Sequence, residues 1–230
     1  MGFIDPVTGN TLVTQDTLKQ VVIPATIADN STVNWTLAGT ATQAVGAEAS
    51  RIQMLKGTFA NGGIISTNCI MNAANFRTGW SLLPVTKMIC ETIVSFDVAI
   101  SQDFGATVCG FNSNATRLDE GSAGSHPCAS IEVANAQTFQ AVCKKDTSAA
   151  TTDTITVADP TLRNTFKVEI DLVLGEVNFY VNGTLESTID SANIPNGQMQ
   201  TCGVGFSSNN ANPGAMYLWY SKQWLEMEIP

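Results

Sequence analysis

The chain has 230 residues, enough for one large all-β domain or two small ones, and a chain of this length buries about 70% of its unfolded surface without staples or metals. Only 13% of its residues are charged, its formal net charge is -9 and its isoelectric point is near 4.4. Coating nucleic acid requires clustered Lys and Arg that release counterions, and the one basic pair, Lys144-Lys145, falls far short, so no nucleic-acid partner is expected.

Residues 1–45 carry turn signals at Asp5-Pro6, Gly9-Asn10 and 28–31 around short β-prone pieces at 19–23 and 33–37. They read as an arm or small β extension for anchoring or oligomerisation, with residues 46–230 forming the main domain. The first six residues lack the basic and apolar regions of a secretion signal, and Pro6 stands where a myristoylation motif has Ser or Thr. No apolar run approaches the length of a membrane span, so no membrane insertion is expected.

From residue 46 onward strand candidates recur at 51–59, 63–68, 89–101, 106–111, 129–144, 154–158, 202–207 and 215–226. Val94, Phe96, Val98 and Ile100 alternate with Ser95, Asp97 and Ala99, the period of a half-buried strand. The Gly/Ser-rich insertion 117–127 holds the single histidine, His126, and reads as a surface loop. Many short strands without an amphipathic helix predict an antiparallel β-sandwich.

The clearest segment is 166–184. Phe166, Val168, Ile170 and Leu172 share one face, with Lys167, Glu169 and Asp171 on the other, and Val177, Phe179 and Val181 alternate with Asn178, Tyr180 and Asn182. Period two with one apolar face predicts antiparallel strands packed on a core. Asn182-Gly183 supplies the positive backbone angles of a tight hairpin turn, after which residues 184–189 run back as the next strand.

Six cysteines stand at 69, 90, 109, 128, 143 and 202, with no C-x-x-C pair and no second metal-ligating residue nearby. A zinc site is not expected, and neither is any other cofactor. Cys109 and Cys143 sit in apolar strand-like runs, where cysteine behaves as a small core residue, so buried thiols are favoured over a disulfide framework. Four N-x-S/T sequons begin at Asn30, Asn34, Asn114 and Asn182, no more than chance gives in a chain so rich in these residues.

The pattern F-x-V-E-I-D-L-x-x-G-x-V-x-F-Y-V-N-G across 166–183 resembles the late hairpin of the concanavalin A-like lectin/glucanase jelly rolls, which include laminin G-like modules and many bacteriophage particle proteins. The resemblance covers roughly residues 163–225 and implies a jelly-roll sandwich. In the glucanase branch, Glu, Asp and Glu alternate along one strand, the outer pair serving as nucleophile and acid/base. Here Glu169-Ile170-Asp171 continues to Leu172-Val173, so the third carboxylate falls on valine and the two acids read as solvated groups on a polar sheet face. A Ser-His-Asp triad through His126 lacks a G-x-S-x-G elbow, and no catalytic residue is nominated.

Joined to the arm and the low charge, the resemblance leads first to a non-enzymatic virion structural protein: a bacteriophage capsid decoration, head-fibre or tail-associated subunit, with other virion proteins as partners. It would be located in the virion and self-associate as a homo-oligomer, trimers being common among similar particle proteins. The alternative is a carbohydrate-binding lectin-like module or adhesin contacting cell-surface glycan. For that role an exposed ring stacks on a sugar face while amides bond its hydroxyls. Tyr180, Asn178 and Asn182 on the polar strand face, with Tyr217 and Trp219 near the C-terminus, are the candidate carbohydrate-binding residues.

Overall fold

Alternating apolar and polar side chains commit one strip of the chain after another to strands. The computed structural model describes residues 17–22, 35–38, 42–45, 52–55, 64–68, 85–96, 104–113, 126–134, 138–190, 195, 201–208 and 215–228. Among these the elements are β1 (Thr17–Val22), β2 (Trp35–Ala38), β3 (Thr42–Val45), β4 (Ile52–Leu55), β5 (Ile64–Asn68), β6 (Val85–Phe96), β7 (Phe104–Asn112) and β8 (Cys128–Ala134). They continue as β9 (Thr138–Lys144), β10 (Thr151–Ile155), β11 (Asn164–Asp171), β12 (Glu176–Val181), β13 (Thr184–Asp190), β14 (Thr201–Ser208) and β15 (Ala215–Glu228). Among the described residues there is no helix, and no helix is long and apolar enough to cross a membrane.

The strands form two antiparallel sheets, giving the all-β sandwich expected from the alternation. One runs β13-β12-β11-β6-β15-β4-β3, with β1 also on β15; the other runs β10-β9-β8-β7-β14-β5-β2. Because β6 pairs along one edge of β15, β4 and β1 share its opposite edge, β4 beside Ala215 to Leu218 and β1 beside Gln223 to Glu228.

The core is built from the inward faces predicted by period two. Phe166, Val168 and Ile170 of β11 and Val177, Phe179 and Val181 of β12 are all buried against Phe111, Ile131 and Phe139 among others. Phe139 lies between Phe96, in an edge contact at 6.3 Å, and Phe166, stacked at 5.8 Å. Each such ring contributes roughly 2–3 kcal/mol of burial. Thr92, also buried, donates its hydroxyl to the Val108 carbonyl at 2.6 Å, which removes the cost of an unpaired polar group in the core.

Several expectations change in the structure. The stretch 129–144 is a hairpin, β8 and β9, because residues 128–134 fold back on 138–144 in antiparallel register. Leu172 does not continue the inward face: β11 ends at Asp171, and Leu172 is 43% exposed in the turn that follows. Val98 and Ile100 lie outside the described residues. The Asn182-Gly183 turn forms as expected, with φ of 50° and 83° at its two residues, angles that Asn tolerates and Gly adopts freely. Cys90, Cys109, Cys128, Cys143 and Cys202 are buried thiols, not disulfides, while Cys69 lies outside the described residues. Burial pushes Cys109 and Cys128 well up and Cys143 up to about 12, so these three stay protonated.

One close approach fixes a glycine. At Gly110 of β7, φ is 152°, and a Cβ would lie 2.5 Å from both the Ala129 carbonyl oxygen and Ser130 Cα of β8. Only a residue without a side chain lets these two strands pair here.

Candidate functional site

The outward face of the larger sheet is where the polar half of the β11–β12 alternation ends up. Register places Lys167 opposite Tyr180 and Glu91, Glu169 opposite Asn178 and Ile89, and Asp171 opposite Glu176 and Lys87. Side chains directly opposite one another share a face, so β12, β11 and β6 together set these polar groups side by side, with the buried Ile89 as an apolar member among them.

That surface is held by a chain of alternating charge. The Lys167 ammonium sits 3.7 Å from the Tyr180 ring centroid and 3.4 Å from Glu169. Glu169 then meets Lys87 at 2.7 Å, and Lys87 meets Asp171 at 3.0 Å. The two carboxylates are therefore not solvated, as alternation alone had implied. They are 8% and 2% exposed, and Lys87, eighty-two residues upstream of Glu169, pairs with both across the sheet, while Lys167 supplies the second positive charge to Glu169. The hydrogen bond to Glu169 outweighs desolvation and, with Asp171, raises the Lys87 pKa above its usual value. Desolvation pushes Asp171 upward, but the Leu174 amide, Lys87 and the Val173 amide together hold it below the usual carboxylate range. A glycosidase acid needs a raised pKa, so Asp171 is tuned the opposite way.

Tyr180, half-buried, carries aromatic surface on this face. Lys167 occupies one side of its ring, and Leu185 of β13, half exposed, stands in register on the other. Burial first, and the Glu169 charge second, raise the phenol pKa, so at neutral pH the hydroxyl both donates and accepts. Asn178 is buried, donates to Glu176 at 3.0 Å and accepts from the Thr188 hydroxyl at 2.7 Å. Asn182 is committed to its turn: its side-chain oxygen accepts from the Thr165 amide at 2.9 Å, and its amide donates to Asn164 at 2.9 Å.

Trp219 lies at a register shift in β15 and donates its indole N–H to Ser95 at 2.8 Å, with the Arg163 guanidinium 3.4 Å above its ring. Three strand spacings separate β12 from β15, roughly 14 Å, so Tyr180 and Trp219 stand apart on the sheet. Tyr217 is placed by its backbone opposite Ser95 and Gln53, and its side chain lies outside the described residues. The sequence reading missed Lys87, Arg163 and Leu185. Lys167 was visible on the polar face, but its seat on the Tyr180 ring was not. Among the described residues no group of three or more His, Cys, Asp or Glu could hold a metal ion.

No protein-family model matches the chain, and no curated protein matches it in sequence. Solved structures do resemble it. The carbohydrate recognition domain of Emp46p aligns at a TM-score of 0.59 and 10% identity, over 87% of this chain and 94% of that one. A protein of unknown function from Shewanella oneidensis MR-1 aligns at 0.60 and 13% identity, over 98% and 96%. A structure of botulinum neurotoxin type C, whose cell entry depends on interaction with two ganglioside molecules, aligns at 0.54 and 11% identity; the match takes in 91% of this chain but only 48% of the neurotoxin chain. The chain thus spans about half the length of the neurotoxin binding domains it matches. At these identities the likeness shows the fold alone, a jelly-roll β-sandwich.

Proposed function

We propose that the chain is a carbohydrate-binding module whose ligand lies on the outward face of β11, β12 and β13. The observation that carries this reading is the end-to-end likeness to a carbohydrate recognition domain, 87% of one chain against 94% of the other. The face supplies suitable chemistry. Tyr180 offers a ring edge and hydroxyl beside Leu185, an apolar strip for sugar C–H groups, while Lys167 and Thr188 flank it with polar atoms. Asn178 and Asn182 act mainly as supports, since each already makes two side-chain bonds. Arg163 and Trp219 form a second contact point for a ligand of several sugar rings. With Val173 where the glucanase pattern has its third carboxylate, the reading is of a face that binds glycan without hydrolysing it.

The expectation of a virion subunit draws no support from these likenesses, and glycan binding replaces it as the principal reading. The test is calorimetric titration with an oligosaccharide identified on a glycan array. Tyr180→Ala is expected to weaken binding at least tenfold, a loss of about 1.4 kcal/mol, with the melting temperature little changed. Unchanged affinity in a folded Tyr180→Ala protein would remove this face as the site.

A further inference from the structure

The turn between β11 and β12 exposes three consecutive aliphatic side chains: Leu172 is 43%, Val173 69% and Leu174 68% exposed. Residues 172–175 form the tip of this hairpin, with Asp171 and Glu176 as its last register pair. A single exposed leucine is ordinary, whereas three in a row on a protruding turn form an apolar wedge.

The tip has a second property. Every backbone N–H in it is already bonded within the protein. The Leu172 amide donates to the Thr86 carbonyl at 2.8 Å and the Gly175 amide to the Asp171 carbonyl at 2.9 Å. The Val173 and Leu174 amides donate to the Asp171 carboxylate at 2.9 and 2.8 Å. Asp171 is in turn fixed by Lys87. Water is therefore not needed to satisfy these donors, which meets the N–H half of the condition for a backbone to leave water, and a shallow seat keeps the tip carbonyls at headgroup depth, where water remains.

The surrounding charge selects among surfaces. Glu176, half-buried, and Asp190, exposed, form the last β12–β13 register pair beside the tip. This acidic collar repels anionic lipid and suits the outward-facing choline ammonium of a zwitterionic headgroup.

We propose that the Leu172-Val173-Leu174 tip is an interfacial wedge that seats in the headgroup/acyl boundary of a zwitterionic bilayer. Such seating is shallow and reversible and needs no membrane-spanning segment, and it stands independently of the sugar-binding reading.

The test uses the full chain with phosphatidylcholine vesicles free of glycan, so failure of sugar binding would not affect the result. Wild-type protein is expected to cosediment with the vesicles, and a Val173→Asp, Leu174→Asp double variant to bind at least about tenfold more weakly. Adding phosphatidylserine should reduce wild-type binding. A Val173→Trp variant should show blue-shifted emission, quenched by lipids brominated on their acyl chains. The proposal is overturned if wild type stays in the supernatant or if the double variant binds equally well. It is also overturned if sedimentation shows self-association lost in that variant while neither protein binds vesicles.

Discussion

Replacing Asp171 with Ala tests whether this carboxylate organises the β11–β12 tip. In the structure it is 2% exposed, accepts the Val173 and Leu174 amides at 2.9 and 2.8 Å, and pairs with Lys87 at 3.0 Å. The two amides lie in an exposed turn and regain water when the acceptor is removed, so each lost bond costs about 1 kcal/mol instead of the full penalty of a buried orphan. Lys87 keeps Glu169 at 2.7 Å and is not stranded, so the lost ion pair adds about 1 kcal/mol. The expected total is about 3 kcal/mol, or a fall in melting temperature of about 6–12 °C for a domain of this size. Urea unfolding followed by tryptophan fluorescence, with a thermal scan beside it, measures both quantities. Asp171→Asn keeps an acceptor oxygen but loses the charge and should cost about half as much. A loss under about 1 kcal/mol for the Ala variant, or equal losses for Ala and Asn, would refute the reasoning.

Three further outcomes follow from the geometry. Gly110→Ala forces a Cβ to within 2.5 Å of β8 backbone and should destabilise by about 2–4 kcal/mol; an unchanged denaturation midpoint would contradict that close approach. Asn182→Ala loses both side-chain bonds and places alanine at a φ of 50°, costing about 2 kcal/mol, whereas Asn182→Gly should cost less because glycine accepts the angle; equal losses by chemical denaturation would count against the turn geometry. The ion network sets a pH window. Asp171 has a depressed pKa, so its contribution is present above the unfolded value of about 3.9 and is lost as pH falls through the folded value. Lys87 has a raised pKa, so its contribution is complete below the unfolded value of about 10.4 and is lost as pH rises through the folded one. Denaturation midpoints should therefore stay flat between about pH 5 and 9, and the acid limb should shrink in Asp171→Asn.

The fold was legible wherever one face is apolar and the other polar. Phe166, Val168 and Ile170, the answering Val177, Phe179 and Val181, and the Asn182-Gly183 turn are local signals with period two and a known turn chemistry. Leu172 failed because periodicity cannot say where a strand stops, and here Asp171 stops it by capturing the amides that follow. Glu169 and Asp171 were read as solvated because their partner, Lys87, is brought in by β6 from far along the chain. Gly110 gave no signal, since the need for a missing Cβ arises only when β8 is packed against it. Of the candidate site, Tyr180 and Asn178 were placed on the correct face by alternation alone. Arg163 on Trp219 depends on strand order, which the sequence does not carry, whereas Leu185 beside Tyr180 follows from the Asn182-Gly183 hairpin and was overlooked.

The most direct test of glycan binding is to apply the purified, labelled wild-type chain to an array of immobilised oligosaccharides, with and without free competing sugar. Binding to a defined group of glycans, abolished by the matching free oligosaccharide and weakened in Tyr180→Ala, is the expected result. Failure to bind any glycan above background, by a protein shown to be folded, would contradict the assignment.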